Sequence, residues 1–308
     1  MSSASTQSES STRLQYFKVR TAIIELPGPG STFDFTISDF GGDTPKAAIV
    51  ILPWTLSTAD ESNRAGASLS IGFTDGTTDY CVAVGSVDNV STTDTVRHIV
   101  QGRIAELIEG NPPDINVEWF TNTFLENGIR LEITGSYGST QNAILILIGG
   151  SECEAKTGDF TPAASGSQAI TGVGFAPDAV CMLSVGNAKQ AYQTLQDNAI
   201  LSFGWASESG SSITQSGVAY YMADNKTSGV DTDNGCLISN ADIPGQIQTT
   251  VDWDLTVTSL DSDGWTHTVG GSGASSDAVC YLALATGGAS DSDQQSFFQP
   301  CIRRPVAR

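Results

Sequence analysis

Apolar residues in this chain come in short bursts of two kinds. In one kind, apolar and polar positions alternate, as in Thr32 to Ile37 (TFDFTI) and Gly264 to Val269, the period of a strand with one wet face. In the other kind the run is nearly all apolar: Lys46 to Leu52, Ala143 to Ile148, Ala179 to Val185 and Ala278 to Ala285. These runs are too short for a typical helix, and the first is rich in Ile and Val, so they predict strands buried on both faces. Further strands are expected at Arg13 to Leu26 (one or two), Ser68 to Phe73, Tyr80 to Val87, Asn116 to Phe124, Ile129 to Gly135, Ser167 to Thr171, Ala199 to Ala206, Gly217 to Ala223 and Gln248 to Ser259. Thr74 to Asp79 (TDGTTD) is a turn with the Asp-Gly hairpin signature. One stretch breaks the rhythm. Ile99, Val100, Ile104, Leu107 and Ile108 are spaced helically and predict a helix over Val96 to Gly110; Gly102 weakens that reading, and a strand followed by one helical turn is the alternative.

The bursts recur in the same order in each half. Pro45 and Pro177, each preceding an apolar run, stand 132 residues apart, and so do Leu69-Ser-Ile-Gly-Phe73 and Leu201-Ser-Phe-Gly-Trp205. Val117-Glu-Trp119 and Val251-Asp-Trp253 stand 134 apart, and the hinges Asn127-Gly128 and Asp263-Gly264 stand 136 apart, so small insertions accumulate towards the C-terminus. A shared order at a nearly constant offset predicts a tandem duplication. The expected fold is all-β: two tandem antiparallel β-sandwich domains, jelly-roll-like, each with its own core, spanning 13–150 and 151–289. A polar N-terminal arm, residues 1–12, and a C-terminal tail, residues 290–308, lie outside them.

Composition narrows the function classes. Fourteen basic residues against 34 acidic ones give a net charge of -20, which repels phosphate backbones and acidic membrane surfaces, so neither nucleic acid nor membrane is an expected partner. The first twelve residues have neither a basic nor an apolar signal region, and no apolar run is long enough to span a bilayer, so synthesis and retention in the cytoplasm are expected. Six cysteines lack metal-ligand spacing and read as free thiols.

Catalytic chemistry finds little support in the residues. His98 and His267 have no nucleophile beside them in a known motif, and His267, in a polar alternating strand, is expected to face solvent. Asp231 to Gly235 and Asp261 to Gly264 resemble fragments of calcium loops but lack the remaining ligands, so they read as turns. No enzyme activity, metal or cofactor is expected. Among the five tryptophans, Trp119 and Trp253 hold equivalent repeat positions and read as core, whereas Trp54 in a loop is the candidate for stacking on a sugar ring. In the tail, Phe297, Phe298 and Ile302 combine with Arg303, Arg304 and Arg308 as a candidate segment for docking onto a neighbouring acidic subunit, as in a homo-oligomer.

Thr157-Gly-Asp-Phe160, Gln168-Ala-Ile-Thr-Gly-Val-Gly-Phe-Ala-Pro-Asp-Ala-Val180, Ser202-Phe-Gly-Trp-Ala206 and Tyr281-Leu-Ala-Leu-Ala-Thr-Gly-Gly288 together resemble a module of tailed-bacteriophage and prophage proteins, written TGxF, QxITGxGFxPxAV, SxGxA and YLALGG. Here Ala-Thr is inserted before the final glycines. The resemblance covers the second half; the first carries it in outline. It implies a virion structural protein on the particle exterior (head decoration, head fibre or tail component) with other virion proteins as partners, and it brings no catalytic residues. A double jelly-roll major capsid protein and a carbohydrate-binding or host-adhesion module, with a host-surface glycan as ligand, are the alternatives.

Overall fold

The computed structural model describes residues 17–26, 31–53, 67–87, 94–109, 112–135, 141–190, 194–209, 212–224, 235–239, 242–247, 251–271 and 276–286. Within them the chain is all-β and antiparallel. The first half contributes β1 (Lys18–Leu26), β2 (Ser31–Thr36), β3 (Ala47–Pro53), β4 (Ala67–Thr74), β5 (Asp79–Val87), β6 (Asp94–Gln101), β7 (Ala105–Glu109), β8 (Asp114–Leu125), β9 (Gly128–Gly135) and β10 (Gln141–Gly149). The second contributes β11 (Glu154–Phe160), β12 (Gly166–Thr171), β13 (Ala179–Ser184), β14 (Gln196–Asp197), β15 (Ala199–Ser209), β16 (Ser212–Met222), β17 (Gly235–Ser239), β18 (Ile243–Ile247), β19 (Val251–Asp261), β20 (Gly264–Gly271) and β21 (Val279–Ala285).

Four sheets result. The first half forms β1-β10-β3-β4-β5-β6 and β2-β9-β8-β7; the second forms β11-β21-β13-β15-β16-β17 and β12-β20-β19-β18. Strand for strand the orders are the same. The exception is β14, a short strand of the second half that pairs with β6 and becomes the seventh strand of the first half's larger sheet. In each half the larger sheet holds a meander, β3 to β6 in the first half, while its first strand, last strand and third strand lie side by side.

Alternation along the apolar runs places three cores. Ala48, Val50 and Leu52 of β3 and Ala143, Leu145 and Leu147 of β10 pack on Trp119, Ile129, Leu131 and Ile133 of the smaller sheet, filling the first sandwich. Val180 and Met182 of β13 and Tyr281 of β21 pack with Trp253, Leu255 and Trp265 in the second. The intervening residues point the other way. Ala47, Phe73, Val82, Ile99 and Ile148 of the first half meet Cys181, Leu183, Leu201, Cys280, Leu282 and Leu284 of the second in a third apolar core. The two larger sheets therefore lie face to face, and the molecule is a four-layered stack. The expectation of two domains, each with its own core, did not include this layer.

The helix predicted over Val96 to Gly110 does not form. Gly102, at φ +87°, turns a corner there, and β6 and β7 run on either side of it into ladders with β5 and β8. Helical spacing arose because Ile99 faces the third core while Ile104 and Leu107 face the first. Fixed partners in sequence-distant strands outweigh a local period that glycine already weakens.

β7 lies against the larger sheet of its own sandwich at unusually short range. A Cβ on Gly72 would collide with the carbonyl of Ile104, and one on Gly204, 132 residues later, with the side chain of Ile243 in the corresponding place. Two backbone N–H groups of β7 donate across this gap, Glu106 to Ser70 Oγ (3.1 Å) and Ile108 to Ser68 Oγ (3.2 Å). Serine hydroxyls thus satisfy donors that a close-packed edge would otherwise bury unpaired.

Candidate functional site

Four polar side chains, His98, Arg103, Glu106 and Glu118, converge where β6, β7 and β8 meet. The corner after β6 projects Arg103 between Glu106 of β7 and Glu118 of β8, residues that face each other across the ladder. His98 Nδ1 lies 2.6 Å from Glu106 Oε2, and both side chains are fully buried. Arg103 Nε donates to Glu118 Oε1, stands 3.6 Å from Glu106 Oε1, and its guanidinium covers the Phe120 ring at 5.3 Å. Glu106 Oε1 itself accepts no hydrogen bond. Two carboxylates, a guanidinium and an imidazole are thus held together inside the sandwich. Its His98–Glu106 end has no exposed surface through which a substrate could reach it. Chemically it is an ion-pair tie, of the sort whose disruption strands a buried charge.

A second polar group fastens the two halves together. Asp75, at the tip of the β4–β5 hairpin, accepts from Thr77 N (2.9 Å), Thr77 Oγ1 (2.6 Å) and Thr78 N (2.9 Å) of its own turn, and from Thr157 N of β11 (3.1 Å). Burial pushes this carboxyl up, and the hydrogen bonds more than offset it, so it is held below its ordinary value. Thr157 Oγ1 donates back to Thr78 O (2.8 Å), and Tyr80 Oη donates to Asp159 Oδ1 (2.7 Å), with Lys189 Nζ 2.8 Å from Asp159 Oδ2. These contacts join the two halves of one molecule.

His267 corrects the reading from sequence. It was expected in solvent but is fully buried in the second sandwich, with its ring centre 5.1 Å from that of Phe160 and neither nitrogen hydrogen-bonded. Burial lowers its pKa to about 4. In β20 it holds the place that Leu131 holds in β9, since both strands begin at the hinge glycine and bury the same positions. The alternation was visible in the sequence, with Thr266 and Thr268 on one face and Trp265, His267 and Val269 on the other; the histidine's own polarity led it to be placed on the wet side, although its face is the apolar one.

Trp54, Phe297, Phe298, Ile302, Arg303, Arg304 and Arg308 all lie outside the described residues. Trp119, Trp253 and Trp265 are fully buried; the first two meet the expectation of core. Cys81, Cys153, Cys181 and Cys280 are free, buried thiols, and burial raises those of Cys153 and Cys181 to about 12. Asp263 of the calcium-like fragment uses both carboxylate oxygens in a clasp, accepting from Gly172 N (3.0 Å) and Gly174 N (2.6 Å), whose φ values of +85° and +95° suit glycine. Among the described residues no group of three His, Cys, Asp or Glu is placed to hold a metal.

The residues that carry the phage-module resemblance are built into this frame. Gln168 ties the turn before β12, its Oε1 accepting from Ala163 N (2.7 Å) and its Nε2 donating to Thr161 O (3.0 Å). Phe160, Ile170 and Val180 are core residues, and Gly172 and Gly174 form the Asp263 clasp. Asp178 accepts from both the N–H (2.6 Å) and the hydroxyl (2.8 Å) of Thr286, securing the end of β21. The motif is one of turns and packing. No known protein family, curated protein or solved structure matches the chain.

Proposed function

We propose that this chain is a non-enzymatic structural protein of a tailed-bacteriophage virion, carried on the particle exterior as head decoration, head fibre or tail component. The observation that carries the proposal is the segment from TGxF to YLALATGG, residues 157 to 288, whose resemblance is to a phage module and whose described residues serve turns and cores. A motif made of scaffold residues marks a building block. The four-layer stack agrees with that role: three apolar cores and inter-half hydrogen bonds give a stiff unit, and a charge of -20 keeps it soluble before assembly.

The same proposal includes the origin of the halves as a tandem duplication, supported by their common strand order and by two hinge clasps. Asn127 Oδ1 accepts from Gly42 N (2.6 Å) in the first half as Asp263 accepts from Gly172 and Gly174 in the second. Each half is then a variant of the jelly-roll sandwich, keeping its outer strand neighbours and replacing the middle with a meander. Mass spectrometry of gradient-purified particles, with gold labelling of an exposed tag, tests the role. A few copies at vertices or the tail support it, hundreds across the shell favour the major capsid alternative, and absence from washed particles ends both.

A further inference from the structure

At one end of the third core the two larger sheets part. Phe73, Tyr80 and Ile99 belong to that interface, but towards the start of β4 and of β15 the facing residues shrink to Ala67 and Ala199. A cavity of about 230 Å³ remains there. Its wall is formed by Leu69 and Val84 of the first half and by Ala199, Leu201, Tyr220 and Met222 of the second. No charged side chain lines it. Of its serines, Ser68 already accepts from the N–H of Ile108, so water entering the cavity would find few partners. The cavity is open to solvent on one side, and water is held weakly against walls this apolar, so an apolar occupant that displaces it gains free energy.

We propose that this cavity is a binding site for a small, neutral apolar ligand, of the size of a substituted single ring or a short alkyl chain. The choice of class follows from the lining. A carboxylate or ammonium group would lose its hydration with no ion partner among the wall residues, whereas a ring gains contacts with leucine, valine and methionine side chains that now face a void. Walls from both halves make the ligand a wedge across the joint, so binding stiffens the stack along a part of the third core that is not filled.

Toluene is the test probe, added to the full chain and followed by methyl-resolved NMR. Saturable shifts confined to Leu69, Val84, Leu201 and Met222 are expected. Ala67→Phe, placed at the exposed rim, should fill the space and weaken binding by at least about tenfold, and Ala199→Leu should do so from the inner wall. Each variant is first checked for wild-type dispersion in its spectrum, so that a loss of binding is read only in a folded protein. Shifts spread evenly over all three cores, no saturation up to the solubility of toluene, or undiminished affinity in a folded Ala67→Phe protein would each overturn the proposal. The site stands or falls independently of any role in a virion.

Discussion

Replacing His267 with leucine should stabilise the protein, and the gain should grow as the solution is acidified. The folded state holds this imidazole at a pKa of about 4, against 6.5 ordinarily, because burial disfavours the cation. Between those values the unfolded chain takes up a proton that the folded chain refuses, so stability falls as pH drops from 6.5 towards 4. At pH 5 the loss from this one residue is about 2 kcal/mol, and below pH 4 it levels at about 3 kcal/mol. Above 6.5 titration contributes nothing. There the substitution acts only by removing two buried nitrogens without hydrogen bonds, worth about 1–2 kcal/mol, and leucine has a precedent at the matching place in Leu131. The assay is urea unfolding followed by tryptophan fluorescence, on both proteins, at pH 7.5 and pH 5.0. A difference between His267→Leu and the parent that is the same at both pH values would show that His267 takes its proton readily in the fold, and the burial argument would be wrong.

Three further outcomes are expected. Glu106→Gln, which leaves His98 and Arg103 without their shared carboxylate, should cost about 3 kcal/mol in the same urea assay, and the double change His98→Leu with Glu106→Leu should cost markedly less than the two single changes together. Gly72→Ala drives a methyl into the carbonyl of Ile104 and should cost about 2–3 kcal/mol or prevent folding, read as a drop in Tm. Residues 151–289 produced alone should aggregate or dimerise in sedimentation, because Cys181, Leu183, Leu201, Cys280, Leu282 and Leu284 lose their cover; a soluble, well-folded monomer would mean the third core is dispensable.

Strand positions were legible because most strands here obey their local pattern. Lys46 to Leu52 became β3, Ile129 to Gly135 became β9 within a residue, and the turn at Thr74 to Asp79 joined β4 to β5. β7, β11, β14, β17 and β18 were not expected as strands: β14 is two residues long, and β18 carries a proline and a glycine in its five. Such segments are strands by virtue of neighbours, and a propensity scan has no access to neighbours. The ion-pair group was illegible for the same reason. Arg103, Glu106 and Glu118 look like ordinary surface charges until the corner at Gly102 folds them inward onto His98.

The third core, by contrast, had left a trace that was read only halfway. A sandwich wets the outer face of each sheet, so its strands should alternate, yet β3, β10, β13 and β21 are apolar at nearly every position. Apolar residues on both faces require a layer on both faces. One layer for β3 and β10 is their own smaller sheet. The other had to come from a surface of matching character, and among the described residues the outward face of β13 and β21 is such a surface, in the same need. Val180 and Met182 turn towards one core while Cys181 and Leu183 turn towards the other. The period-two rule that locates a strand thus also counts its neighbours: an unbroken apolar run in each half meant that the halves cover one another. Asp75, Tyr80 and Thr157 then fix the register of a contact that hydrophobic burial alone would leave free to slide.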